Sequence, residues 1–190
     1  STVKSIAANT FCKEYSDDTE VIITKVYVSQ KSQYEDHVNF PTSKYHRLYL
    51  TSSLEWTAED FIYEQQDGWT ITGFSEEGLA KIEINKNLIV PAKDPDGKAV
   101  EKIGANAFEE RELLTVRIPD GITEIGDDAF CNNKLTNITF PASLATIGVN
   151  AFAENKIAEL EFPEMADVPF QIGDKAFAGN NIKAVQLPAN

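Results

Sequence analysis

The chain has 190 residues, 42% of them hydrophobic, which is enough for one large domain or two small ones. Its 30 acidic and 17 basic side chains give a formal net charge of −13 at pH 7, a field that repels nucleic-acid phosphates and anionic lipid headgroups. We therefore expect no nucleic-acid partner, and since no apolar run reaches the roughly 18 residues of a membrane helix, we expect no membrane insertion.

The first part of the chain, residues 1–48, has an irregular pattern. Residues 6–11, IAANTF, are similar to the repeat motif described below, and residues 20–29, EVIITKVYVS, predict a strand. We interpret residues 1–48 either as the β-rich closing unit of a preceding repeat array or as a small β appendage.

A hairpin is predicted in residues 61–74, FIYEQQDGWTITGF, where two alternating segments flank an Asp67-Gly68 turn. A stack of coils leaves an apolar end that must be covered, so we predict an N-terminal cap over about residues 49–91. The side chains available to cover the first coil are Phe61, Tyr63, Trp69 and Ile71.

A six-residue motif, I-G-x-x-A-F, recurs four times in the second part of the chain. It begins at Ile103, Ile125, Ile147 and Ile172, at intervals of 22, 22 and 25 residues. A proline that closes a short apolar run recurs in step, at Pro119, Pro141, Pro163 and Pro188. Two marks in register at such a period indicate a solenoid, so we predict an α+β repeat solenoid over residues 49–190.

Each coil is predicted to contain a short strand just before its proline. Alternation places Ile138 and Phe140 toward the core and their neighbours outward. The glycine after each motif isoleucine is predicted to have a positive φ or to approach the next coil closely. The A-F pair predicts a short helical turn whose ring points inward, so that Phe130, Phe152 and Phe177 form a buried column.

An asparagine follows the motif phenylalanine by three positions in three coils, at Asn133, Asn155 and Asn180. Because an amide both donates and accepts, we predict that these side chains form a ladder of hydrogen bonds between adjacent coils. The first coil has Arg111 instead.

The sequence has no recognisable catalytic or metal motif, and we predict no enzyme and no cofactor. Its only imidazoles, His37 and His46, lack a metal or catalytic spacing. Residues 94–97, DPDG, predict a tight turn and no metal site, because the spaced ligands of a calcium loop are missing. Cys12 and Cys131 are too far apart for a disulfide framework and predict two buried thiols.

Residues from about 68 to 190 resemble the BspA-like branch of bacterial leucine-rich-repeat surface proteins. The resemblance rests on the four motif turns, the asparagine element, the closing prolines, and the segments WTITGFSEEG (69–78) and LIVP (88–91). It implies a right-handed leucine-rich-repeat coil stack with short strands on one side and short helical turns on the other. It also implies export to the cell surface and binding of extracellular or host proteins without catalysis.

The outward strand positions form two columns, which we predict to be the binding face: Thr115, Asn137, Glu159 and Ala184 in one, Arg117, Thr139, Glu161 and Gln186 in the other. Only Arg117 is a typical interface anchor, so a structural spacer in a larger multidomain surface protein is the alternative to a binding module. We also expect further repeat domains in the same protein, and end-to-end self-association through an open C-terminal edge, because no cap-like segment follows the last strand.

Overall fold

The computed structural model describes residues 55–65, 67–164 and 169–187, all of which belong to one compact unit. The predictions for residues 1–48, with Cys12, His37 and His46, lie outside the described residues, as does Pro188.

The predicted hairpin is present: β1 (Phe61–Gln65) pairs antiparallel with β2 (Trp69–Phe74). A seven-residue helix, α1 (Glu76–Ile82), follows it, beginning after Ser75. The Ser75 Oγ accepts a hydrogen bond from the Gly78 N–H, the usual way of satisfying a free amide at a helix start. The sequence pattern gave no indication of this helix.

The hairpin covers the first coil through its aromatic rings. Phe74 and Phe61 lie 4.8 and 6.0 Å, centroid to centroid, from Phe108, the phenylalanine of the first motif. Of the four predicted covering residues, Phe61, Ile71 and Tyr63 pack on the core. Trp69 does not, because it lies at the turn end of β2, where its ring is under the Lys98 ammonium, 4.4 Å away.

A buried ion pair joins α1 to the 3-10 turn Ala58–Asp60 that precedes β1. Lys81 Nζ lies 2.5 Å from Asp60 Oδ2, and the two side chains are 4% and 3% exposed. Lys81 also donates to the Glu55 carbonyl oxygen and lies 5.7 Å from the Trp56 ring centroid. The Asp60 carboxylate accepts from the Thr57 N–H as well, so both buried charges have several partners.

The coils that follow contribute two rows of parallel strands. The strands before the prolines, here called the proline-side strands, are β3 (Asn87–Ile89), β5 (Thr115–Arg117), β7 (Asn137–Thr139), β9 (Glu159–Glu161) and β11 (Ala184–Gln186). The strands that end at the motif isoleucines, here called the isoleucine-side strands, are β4 (Lys102–Ile103), β6 (Glu124–Ile125), β8 (Thr146–Ile147) and β10 (Gln171–Ile172). The isoleucine-side strands continue β1 and β2 into a six-stranded sheet, which was not predicted from the sequence.

The predicted short turns are present over the A-F segments, where they are successive turns and not a continuous helix. Their amides bond alternately to the next coil and to their own: Phe108 N donates to Ala129 O at 2.8 Å, whereas Ala107 N donates to Gly104 O at 3.4 Å. The residue before each motif alanine is left-handed, which interrupts a right-handed helix. These residues are Asn106 (φ 56°), Asp128 (φ 55°), Asn150 (φ 53°) and Lys175 (φ 57°).

Close approach of neighbouring coils, one of the two predicted reasons, explains the motif glycines. The positive φ, the other predicted reason, occurs two residues later in the motif. A Cβ at Gly126 would lie 2.6 Å from the Ala105 nitrogen, and one at Gly148 would lie 2.6 Å from the Asp127 nitrogen. Any side chain there would therefore push adjacent coils apart.

The predicted phenylalanine column is confirmed and begins one coil earlier. Centroid separations between successive rings of Phe108, Phe130, Phe152 and Phe177 are 5.3, 5.0 and 5.4 Å. The first three rings are fully buried. This offset stacking is a favourable geometry for aromatic pairs, so the column forms the centre of the core.

The predicted asparagine ladder is also confirmed. Asn155 Nδ2 donates to the carbonyl oxygens of Phe130, Phe152 and Ala153 at 2.9, 3.1 and 3.1 Å. Its Oδ1 accepts from the Leu135 N–H at 2.9 Å. Asn133 and Asn180 make equivalent bonds, so each amide joins two successive coils.

Candidate protein-binding face

The eight predicted binding residues lie on the proline-side strands. Their side chains alternate with the inward Val116, Ile138 and Leu160, and all are exposed except Thr115, which is half-buried. The register of the pairs is as predicted: Thr115 opposite Asn137, Arg117 opposite Thr139, Glu159 opposite Ala184, and Glu161 opposite Gln186. The set is called the outer face below.

The outer face has a discontinuity that its regular sequence pattern does not predict. β3, β5 and β7 form one sheet and β9 and β11 another, and β7 and β9 are neighbours without pairing. The hydrogen-bonded strand ladder is therefore interrupted in both columns. The interruption lies between Asn137 and Glu159 in one column and between Thr139 and Glu161 in the other.

Two further residues extend the columns at the N-terminal end. Asn87 lies opposite Thr115, whose Oγ1 donates to the Asn87 Oδ1 at 2.9 Å, and Ile89 lies opposite Arg117 with 49% of its surface exposed. The sequence contains a signal for this strand, because N-L-I-V-P (87–91) has the spacing of the later strands and their prolines. Together with the eight residues above, Asn87 and Ile89 make up the outer face.

The charges of the outer face have no ionic partners among the described residues. Arg117 lies between Ile89 and Thr139, and Glu161 lies beside Gln186, so each neighbour in the register is uncharged. Glu159 is paired with Ala184. These three exposed side chains are thus free to meet charges on another molecule.

The isoleucine-side strands present a contrasting surface. Lys102 Nζ lies 3.3 Å from both the Asp67 and the Glu124 carboxylates. The hydrogen bonds to Glu124 and Asp67 raise the pKa of the Lys102 ammonium. Its charge is already matched within the chain, which makes this side a weaker candidate for an ionic contact.

Asp94 and Cys131, which were considered for metal binding and thiol chemistry, have surroundings that indicate structural roles. Asp94 is buried, and its Oδ1 accepts from the Lys98 N–H at 2.8 Å, which confirms the tight turn at residues 94–97. The Cys131 thiol is free and buried, and burial raises its pKa, which lowers its thiolate fraction. Within residues 55–65, 67–164 and 169–187, no group of three His, Cys, Asp or Glu side chains could hold a metal ion.

A search of the same ranges for membrane spans finds no helix with the length and hydrophobicity needed to cross a bilayer.

Comparison with known families decides which class of repeat this is. The family described as the BspA type leucine rich repeat region (6 copies) matches residues 95–190. The chain belongs to the BspA type leucine-rich-repeat family. The predicted resemblance is thereby confirmed, and the matched residues include every I-G-x-x-A-F motif.

One of the similar solved structures supports this assignment. A leucine-rich repeat protein from Bacteroides capillosus is 26% identical with a TM-score of 0.53, over 68% of this chain and 95% of that one. One from Bacteroides ovatus is 25% identical (TM-score 0.45, 70% of this chain, 41% of that one), and T. pallidum leucine rich repeat protein is 23% identical (TM-score 0.42, 70% and 72%). No curated protein matches this BspA type chain. It is a bacterial leucine-rich-repeat module.

Proposed function

We propose that the chain is a non-catalytic binding module, secreted or held at the bacterial cell surface, that adheres to extracellular or host proteins through the outer face. The observation that carries this proposal is the state of the charges on that face. Arg117, Glu159 and Glu161 are exposed, aligned by the strands and unpaired within the described residues, whereas Lys102 is matched by two carboxylates. Charges held in place without internal partners favour recognition of another charged surface.

A structural spacer is the second candidate, and the composition of the outer face favours it. Tight interfaces usually centre on Trp, Tyr or Arg, and here Arg117 is the single residue of those types among the ten. In this alternative the coil stack holds another domain of the same protein away from the cell surface. The binding module, by contrast, requires contacts that are individually weak and repeated.

The test is a charge reversal on the outer face with a matched reversal elsewhere. Glu159→Lys/Glu161→Lys changes the net charge by +4, and so does the control Glu64→Lys/Asp174→Lys, whose side chains are exposed on β1 and on a motif turn. The native chain and both variants are coupled to resin and exposed to blood serum. Retained proteins are then quantified by mass spectrometry.

A binding module predicts at least one serum protein retained by the native chain and by the control and lost from the outer-face variant. All three coupled chains should melt at similar temperatures, since the exchanged residues are exposed. If the three retain the same proteins in the same amounts, the spacer is favoured and the binding proposal fails. Antibody labelling of intact producing cells, compared with lysed cells, tests the surface location separately.

A further inference from the structure

The two opposite charges in one column of the outer face are arranged so that a second copy of the same column complements them. Arg117 lies on β5 and Glu161 on β9, both side chains are exposed, and neither forms an ion pair within the described residues. A two-fold axis parallel to the strands and midway between these residues brings Arg117 of each copy onto Glu161 of the other. Because the copies are identical, both contacts form at once, whatever the separation of the two residues within one chain.

The rest of the outer face fits the same axis. β5 pairs in register with β3, and β9 pairs in register with β11, so each charge has one further strand beyond it. The interruption between β7 and β9 lies in the middle of the contact and does not change which strands meet on either side of it. The facing residues there are Ile89 with Gln186, Asn87 with Ala184, and Thr115 with Glu159. No like charges meet.

The charges also distinguish between the two arrangements that place both columns on both columns. An axis parallel to the stack would place each strand on its own equivalent, with Glu159 of one copy facing Glu161 of the other. That contact between like charges occurs twice and is repulsive, and Arg117 would face the uncharged Thr115. The charges therefore favour the axis parallel to the strands.

We propose that the outer face binds the outer face of a second copy of this chain about the axis parallel to the strands. The association is weak, because its two ion pairs are exposed to solvent. It becomes significant where many copies are held at one surface, because tethering raises the effective concentration. The consequence for regulation rests on the proposed function: a second copy covers the residues that would bind other proteins, so self-association and adhesion compete.

Charge reversal at the two positions tests the contact. The full chain is studied by sedimentation equilibrium at about 1 mM, an effective concentration that tethering supplies, and about 0.15 M salt, which screens charges far from the contact. The native chain should show an average mass between monomer and dimer that rises with concentration. Arg117→Glu and Glu161→Arg should each associate about tenfold more weakly, because two attractive contacts become repulsive. An equimolar mixture of the two variants should regain association, because each acidic column then faces a basic one.

The matched controls change the charge by the same amounts away from the outer face. Lys93→Glu and Asp174→Arg alter exposed side chains and change the net charge by −2 and +2, as the two outer-face variants do. Each control, and their mixture, should associate like the native chain. Association that is lost in each outer-face variant and regained on mixing them therefore comes neither from misfolding nor from net charge.

A native chain that stays monomeric at about 1 mM, or a mixture that associates no more than its two components, would overturn the inference. The proposed function then stands if the double variant Glu159→Lys/Glu161→Lys still loses a serum protein that its control keeps. Self-association without any captured serum protein would support the contact between copies and contradict the proposed function. If neither association nor capture is observed, both proposals fail.

Discussion

Phe130 and Phe152 are stacked, with ring centroids 5.0 Å apart and planes 5° from parallel. Phe152 is fully buried and stacks on Phe177 from its other side. We expect Phe152→Ala to lower the free energy of unfolding by about 3–5 kcal/mol, the usual cost of removing a buried ring. Urea denaturation measures the loss. The matched control is Phe170→Ala, a partly buried ring that should cost less, and an unchanged stability of Phe152→Ala would contradict the buried column.

The asparagine ladder leads to a second prediction. Asn155→Ala removes a donor from three carbonyl oxygens and an acceptor from the Leu135 N–H in a buried site. Each of the three carbonyl oxygens keeps another donor, so only the Leu135 N–H is left without a partner. A buried group without a partner costs about 1–3 kcal/mol, and we expect a loss in that range by thermal or chemical denaturation. Asn137→Ala, at an exposed strand position, is the control and should change stability little. Similar losses for both variants would show that the ladder does not stabilise the stack.

The features that the sequence predicted correctly are those that recur at a fixed spacing from coil to coil. The phenylalanine at each motif end and the asparagine three residues later recur at a fixed spacing, so their burial and bonding follow from one coil lying on another. The outer columns follow from the alternation around Ile138 and Leu160. The outward positions of Asn87 and Ile89 were not predicted, although N-L-I-V-P has the same spacing, because this segment was interpreted as a family motif and not as a strand.

The features that were missed are short or depend on contacts between coils. Strands of two residues, such as Lys102–Ile103, are too short to show alternation. In α1, Gly78 lowers helix propensity, but it is needed there because a Cβ would lie 1.9 Å from the Asp60 carbonyl oxygen. The A-F turns do not continue as a helix, because a left-handed residue precedes each motif alanine and alternate amides donate to the next coil. The unpaired boundary between β7 and β9 has no counterpart in the sequence spacing.

Close approach of the coils at the motif glycines gives a third prediction. In Gly148→Ala the new Cβ would lie 2.6 Å from the Asp127 nitrogen, a backbone atom that cannot move alone. We expect a destabilisation of about 1–3 kcal/mol, as in other overpacked sites, measured by urea denaturation. Gly104→Ala is the matched control, because its nearest neighbour, the Ile71 carbonyl oxygen, would be 3.2 Å away. An equal or larger loss in the control would contradict the proposed role of the glycines in coil spacing.

The buried ion pair of the cap gives a fourth prediction. Asp60→Ala leaves the Lys81 ammonium buried without its carboxylate, which we expect to destabilise the domain by about 3–5 kcal/mol. Asp60→Ala/Lys81→Met should lose less than the sum of the single changes, because it removes both charges. Lys102→Met, which breaks a surface ion network screened by solvent, should cost much less than Asp60→Ala. Additive losses in the double variant would show that the two side chains are not coupled.

The location of the interaction surface is the central claim, and site-directed photocrosslinking tests it most directly. Benzoylphenylalanine is introduced at Thr139, in the middle of the outer face, and separately at Val149, an exposed residue of a motif turn. Each protein is irradiated in blood serum, and covalent adducts are counted by gel electrophoresis and mass spectrometry. We expect a discrete adduct from position 139 that the Glu159→Lys/Glu161→Lys background abolishes, and none from position 149. Adducts of equal or greater yield from position 149 would contradict the assignment of binding to the outer face.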